Sequence, residues 1–204
     1  MTAPKLKIFH MPNTRSARVV WCAHEASIDV ELVAVNLRNG DTKTPEYLAM
    51  HPLGKVPVAL MDGAAIFESG AICHVLAEQS DDGFLPADPL ARARCLSLAW
   101  FAGTELDRGT INAFIHTAFR PEGQRDEAMI AATRTLWTET VTPYLSGVLG
   151  DQTFLLGDRI TLADIMVGYD CLYAGKLGLL DENLSAYVAR LAERPGFQAA
   201  FAMG

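Results

Sequence analysis

The chain has 204 residues, half of them hydrophobic and a fifth charged, with 24 acidic against 17 basic side chains and a formal net charge of −7. That length admits one or two domains, each able to bury a core of its own. The acidic balance speaks against a nucleic-acid partner, which asks for a basic patch, and no apolar run approaches the roughly 18–20 residues that span a bilayer.

The opening MTAPKLKIFH lacks the apolar core of a signal peptide, so a cytoplasmic protein is expected. Leu6 to Phe9 is a short β signal, followed by the loop Met11-Pro12-Asn13. Thr14 to Ala26 reads as a helix, with Val19, Cys22, Ala23 and Ala26 on one face. Val30 to Val35 is rich in β-branched residues and reads as a second strand. A polar loop from Asn36 to Lys43 leads to a short helix capped near Thr44-Pro45. Then comes HPLGKVPVALMDGAAIFES, from His51 to Ser69. Two short apolar runs flank an Asp62-Gly63 turn, the pattern of a hairpin. The second run feeds a helix of about Ser69 to Glu78. The order β-α-β-α-β-β-α is that of a thioredoxin-like domain, with a parallel β-α-β part and an antiparallel hairpin.

Ser80 to Pro89 (SDDGFLPADP) is rich in Asp, Gly and Pro and reads as a linker. Beyond it the pattern is helical. One stretch runs from Pro89 to about Ala118 and another from Asp126 to Leu149, where Pro143 predicts a kink. Thr161 and Asp164 form a Thr-x-x-Asp capping box opening an apolar helix. Leu184 to Glu193 and Pro195 to Met203 read as two terminal helices. The expected organisation is a thioredoxin-like domain over 1–79, a linker over 80–88 and an all-helical domain over 89–204. Cys22, Cys73, Cys95 and Cys171 are far apart and lie among apolar residues, so buried reduced thiols are expected. The histidines show no ligand spacing, and no metal site is expected.

Two features of the first half converge on one kind of ligand, a small peptide with an anionic end. The Val56-Pro57 step turns the backbone into a strand and offers the N–H and C=O of Val56 to an extended peptide. An X-Pro bond tolerates the cis form at a cost of only about 0.5–1 kcal/mol. Glu68 and Ser69 stand at a helix start, where N–H groups and the helix dipole attract an anion. On His51-Pro52-Leu53-Gly54-Lys55-Val56-Pro57 together with Glu68-Ser69, the chain resembles the glutathione S-transferase family, and the likeness extends over the whole chain.

The resemblance implies that Val56-Pro57 is a cis-proline step pairing with the cysteinyl part of glutathione, a co-substrate. Glu68 and Ser69 would hold its γ-glutamyl end, and Lys55 or Lys43 its glycyl carboxylate. It further implies a homodimer and a pocket for a small hydrophobic electrophile in the helical half, for which Phe101, Glu105, Asn112, Phe114 and His116 are candidates. A thiol-activating residue would follow the first strand. A free thiol ionises near ~8.5, and lowering that by two units takes about 2.7 kcal/mol. A helix N-terminus supplies up to ~2 kcal/mol and a hydrogen bond to a charged acceptor about 1.5–3 kcal/mol, so the two together suffice. Within Pro12-Asn13-Thr14-Arg15-Ser16 the favoured donor is Thr14, whose hydroxyl can reach a thiolate. Asn13 and Arg15 remain alternatives, as does a plain capping role for Asn13, Thr14 and Ser16. There is no tyrosine in this loop and no cysteine, which speaks against glutathionylating relatives.

Three functions compete at this point. One is a glutathione-dependent transferase acting on an electrophilic carbon. A second is a glutathione-dependent disulfide or peroxide reductase, or an isomerase of activated dienes. The third is a non-catalytic binding module on the same scaffold, which need not keep the ligand set present here.

Overall fold

The structure, a computed structural model, describes residues 6–80 and 83–201. The chain divides into two compact units, the described parts of Met1–Leu85 with Glu193–Gly204, and Pro86–Ala192.

The first unit is a thioredoxin-like arrangement. Strands β1 (Leu6–His10), β2 (Val30–Ala34), β3 (Val58–Met61) and β4 (Ala64–Phe67) form one sheet in the order β2-β1-β3-β4. β1 runs parallel to β2 and antiparallel to β3, and β3 antiparallel to β4. Helices α1 (Ser16–Glu25), α2 (Pro45–Met50) and α3 (Ser69–Gln79) complete the predicted order, with an added 3₁₀ turn at Asp41–Lys43 in the expected polar loop. Leu6, Ile8 and His10 are buried on one face of β1, the period-2 signature of a strand with one covered face. α1 is buried from Ser16 to Ala23, because α3 and the terminal helix α10 (Pro195–Phe201) both pack against it. Phe197 meets Trp21 edge to face at 5.0 Å, and Arg194 grips Glu25 through two hydrogen bonds of 2.6 and 2.8 Å. The expected helical domain includes α10, whose partner here is α1; helical periodicity identifies a buried face but not the neighbour that covers it.

α1 begins two residues later than Thr14. Asn13 sits at φ +58° and the Thr14 hydroxyl bonds back to the Met11 carbonyl, so a turn closes before the helix starts. α2 is capped as expected, Thr44 Oγ1 accepting from the Tyr47 N–H at 3.2 Å.

The second unit is all helical: α4 (Pro89–Phe101), α5 (Asp107–Phe119), α6 (Glu127–Leu136), α7 (Thr142–Leu149), α8 (Leu162–Lys176) and α9 (Glu182–Ala192). π-helical turns at Ala102–Leu106 and Trp137–Val141 join α4 to α5 and α6 to α7. The second falls just before Pro143, whose ring cannot sit beneath a regular turn, so the predicted kink takes the form of a widened one. α8 is buried almost throughout and opens on the capping box of Thr161 and Asp164. Of the expected linker, 81 and 82 lie outside the described residues, as do 202 and 203 of the expected last helix.

Candidate functional site

The strand registers gather three separate loops at one end of the sheet. Phe9 lies opposite Val58, and Val58 opposite Phe67. The segment leaving β1, the segment entering β3 and the segment leaving β4 are therefore neighbours. They carry Asn13-Thr14-Arg15, Lys55-Val56-Pro57 and Glu68-Ser69. Packing reinforces the meeting: Met11 of the first loop rests on the cluster of Tyr47, Val56 and Val58, with Phe9 and Met50.

The Val56-Pro57 peptide is cis. Its approach is held from three sides. Tyr47, edge to face with Phe9 at 5.5 Å, donates its hydroxyl to the Lys55 carbonyl at 2.9 Å. Burial pushes the Tyr47 phenol up to about 12, which keeps it a donor. Lys43 Nζ donates to the Leu53 carbonyl at 2.9 Å. Gly54 has φ +56°, and a Cβ there would collide with the Thr42 carbonyl oxygen; only glycine suits both demands. Lys43 thus steadies the loop while its ammonium stays exposed, and the Lys55 side chain is exposed as well.

His51 stacks on Phe67 at 4.7 Å, and its Nδ1 accepts from the Leu53 N–H at 3.2 Å. Burial lowers its pKa; Glu68 opposes that while Lys55 and Lys43 add to it. One imidazole thus lies within reach of three of the charges that the sequence proposed as ligand groups, Glu68, Lys55 and Lys43. Glu68 stands at φ +74°, ψ +115°, outside the regions a side chain prefers, at a cost of about 1–3 kcal/mol. Ser69 follows as the first residue of α3, buried with its neighbour Gly70.

In the first loop, Asn13 is exposed, Arg15 is half-buried, and Thr14 turns its hydroxyl inward. Thr14 Oγ1 donates to the Met11 carbonyl at 2.7 Å, lies 2.8 Å from Ser16 Oγ, and accepts from the Ser16 N–H at 3.3 Å. Ser16 Oγ also contacts His10 Nδ1 at 2.8 Å. The Arg15 side chain does not cap α1. Sequence reading passed over His10, Ser16 as a network member, Tyr47 and His51. The clue available for Ser16 was a second hydroxyl two residues after the first; His10 offered only its place in the alternation of β1, and Tyr47 its place as the buried aromatic of a short helix.

The residues expected to meet the electrophile all lie in the second unit. Phe101 packs on Tyr144 at 5.9 Å and lines a cavity of about 330 Å³ with Leu98 and Val141. Phe114 packs on Tyr173 at 4.9 Å, with Lys176 Nζ 5.4 Å from its ring centre. Glu105 and Asn112 are exposed, and His116 Nδ1 accepts from the Asp126 N–H at 2.9 Å. All four cysteines are buried and free. Among the described residues no cluster of three acidic, histidine or cysteine side chains could hold a metal, and no helix is long and apolar enough to cross a membrane.

Comparison with known proteins agrees with this geometry. Residues 4–78 match the N-terminal domain of glutathione S-transferases, and residues 109–202 the C-terminal domain. Glutathione S-transferase GstA of Escherichia coli O157:H7 is 30% identical over 95% of this chain and 96% of its own length. Maleylacetoacetate isomerase of Pseudomonas aeruginosa is 30% identical over 82% of this chain and 80% of its own. The theta class glutathione S-transferase of Xanthomonas axonopodis pv. citri, solved with glutathione bound, superposes with a TM-score of 0.83 at 28% identity, covering 98% of this chain and 99% of that one. The chain belongs to the glutathione S-transferase family, and at that level it is a glutathione-dependent transferase.

Proposed function

We propose that this transferase binds glutathione at the sheet end described above and holds its thiol as thiolate for attack on a small hydrophobic electrophile. The observation that carries this is the strand register, which brings the loop of Thr14 beside Val56-Pro57 and Glu68-Ser69, the two ends of one hairpin.

Each group has a role that its chemistry suits. The Val56 backbone pairs with the cysteinyl residue, as an edge strand pairs with an extended peptide. Ser69 and its N–H, at the start of α3, take the γ-glutamyl carboxylate, and Glu68 takes the ammonium. Lys55 and Lys43 face the glycyl carboxylate as exposed cations. Thr14 donates its hydroxyl to the sulfur, with Asn13 and Arg15 bordering the same loop. Loss of the thiol proton leaves a sulfur anion. Its electron pair forms the new carbon–sulfur bond while a leaving group departs or a strained ring opens. The isomerase relative favours a second reading, in which the same thiolate adds to an activated double bond and later leaves.

The proposal extends to a cytoplasmic homodimer, supported by family membership, with a detoxifying role. The test is calorimetric binding of glutathione, turnover against aryl halides, epoxides, organic peroxides and mixed disulfides, and titration of the bound thiol by thiolate absorbance. Thr14→Val should raise the bound thiol pKa by about one to two units and leave affinity nearly unchanged. A parent-like titration in Thr14→Val removes Thr14 from its role, and absence of glutathione binding by the parent ends the reading altogether.

A further inference from the structure

Two hydroxyls and one carbonyl behind the thiol site have more possible hydrogen bonds than hydrogens. Ser16 Oγ lies 2.8 Å from His10 Nδ1, 2.8 Å from Thr14 Oγ1, 3.0 Å from the Met11 carbonyl and 3.2 Å from the Met11 N–H. Thr14 Oγ1 lies 2.7 Å from the same carbonyl. A hydroxyl has one hydrogen to give and two lone pairs to fill. The direction of each bond therefore depends on which nitrogen of His10 carries the proton.

His10 is 3% exposed, and its Nε2 is buried with no hydrogen-bond partner. An orphaned buried N–H is rarer in folded proteins than an under-satisfied acceptor. The proton therefore belongs on Nδ1, with Nε2 the bare nitrogen. Burial lowers the His10 pKa, which keeps the ring neutral and leaves it a single N–H. With that tautomer, Ser16 Oγ accepts from the His10 Nδ1–H and from the Met11 N–H. Both its lone pairs are then filled, so its own hydrogen goes either to Thr14 Oγ1 at 2.8 Å, with Thr14 bonding the Met11 carbonyl, or to that carbonyl itself at 3.0 Å. In the second arrangement Thr14 turns its own hydrogen outward without leaving any of these inner groups unpaired. With the other tautomer, Ser16 would donate to His10, and the Met11 carbonyl would depend on Thr14 alone.

We propose that His10 is a positioning residue of the thiol site: by donating from Nδ1 to Ser16 it keeps the Ser16 hydrogen available to the Met11 carbonyl, so that the Thr14 hydroxyl is free to turn to the glutathione sulfur. This rests on the assignment of Thr14 as the sulfur's donor. His10 does not touch the substrate, and it acts through Ser16.

The experiment titrates the thiol of bound glutathione by thiolate absorbance in the parent, His10→Leu, His10→Asn, Ser16→Ala and Thr14→Val, with kcat and KM for each. His10→Leu should raise the bound thiol pKa by about one unit and lower kcat about tenfold at slightly acid pH, with KM for glutathione within about twofold of the parent. His10→Asn, whose carboxamide N–H stands near the place of Nδ1, should restore the parent titration. His10→Leu titrating like the parent while Thr14→Val is shifted overturns the proposal and spares the Thr14 assignment. No shift in Thr14→Val removes that assignment instead, and the proposal with it. Failure of His10→Asn to restore the titration also overturns it. Should His10→Leu fail to fold, Ser16→Ala decides: a rise of similar size supports the network, and a parent-like titration refutes it.

Discussion

Asp164 gathers four hydrogen bonds on one buried side chain, and its removal tests the account of the helical unit. Oδ1 accepts from the Leu155 N–H and the Tyr187 hydroxyl, each at 2.9 Å; Oδ2 accepts from the Thr161 N–H at 2.8 Å and the Thr161 hydroxyl at 2.9 Å. Asp164 and Tyr187 are fully buried, and Leu155 and Thr161 nearly so. Asp164→Ala strands the two N–H groups and the tyrosine hydroxyl where water does not reach. At about 1–3 kcal/mol for each unpaired donor, partly relieved by relaxation, the expected loss is about 3–5 kcal/mol. Asp164→Asn keeps the Oδ1 bonds but sets an amide N–H₂ against the Thr161 N–H, for an expected loss of about 1–2 kcal/mol. Burial raises the Asp164 carboxyl above its ordinary 3.8 despite these donors. A carboxyl that holds its proton more tightly folded than unfolded gives up stability as pH rises through the window just above 3.8. The stability difference between the parent and Asp164→Asn should therefore shrink as pH rises through that window. Urea unfolding followed by far-UV circular dichroism and by tryptophan fluorescence measures both quantities. An Asp164→Ala protein within about 1 kcal/mol of the parent would refute the reasoning.

Two further outcomes concern the site. Gly54→Ala forces a side chain into the left-handed region, at about 1–2 kcal/mol, and drives a Cβ against the Thr42 carbonyl and Lys43 Nζ; it should lower the melting temperature and weaken glutathione binding severalfold, and a variant matching the parent in both would show that the loop does not need glycine. Ser69→Ala removes a hydroxyl from the proposed γ-glutamyl socket and should weaken calorimetric glutathione binding by about 1.5–3 kcal/mol, an assignment that equal affinity would cancel.

What could be read from the chain alone was whatever local chemistry decides. The Asp62-Gly63 turn, Pro45 at a helix start and the Thr161/Asp164 box are each set by a few adjacent residues, and the elements they bound fall where the residues place them. The gathering of Glu68-Ser69 with Val56-Pro57 followed from the hairpin, because an antiparallel return brings the end of β4 beside the start of β3. Long-range partners were a different matter. Nothing near Phe197 announces that it covers Trp21, and nothing near Tyr47 announces that its hydroxyl will meet the Lys55 carbonyl. The first loop shows the limit most plainly. Residue types offered Asn13, Thr14 and Arg15 as candidate donors to the proposed thiol, beside a plain capping role, since all three stand at one helix start. The direction of the Thr14 hydroxyl, however, depends on Ser16, and Ser16 depends on a strand residue whose imidazole is turned under the helix. A histidine at the end of an apolar run looks like an ordinary interior position. Its part is visible only once burial has left one ring nitrogen without a partner and set the other against a hydroxyl.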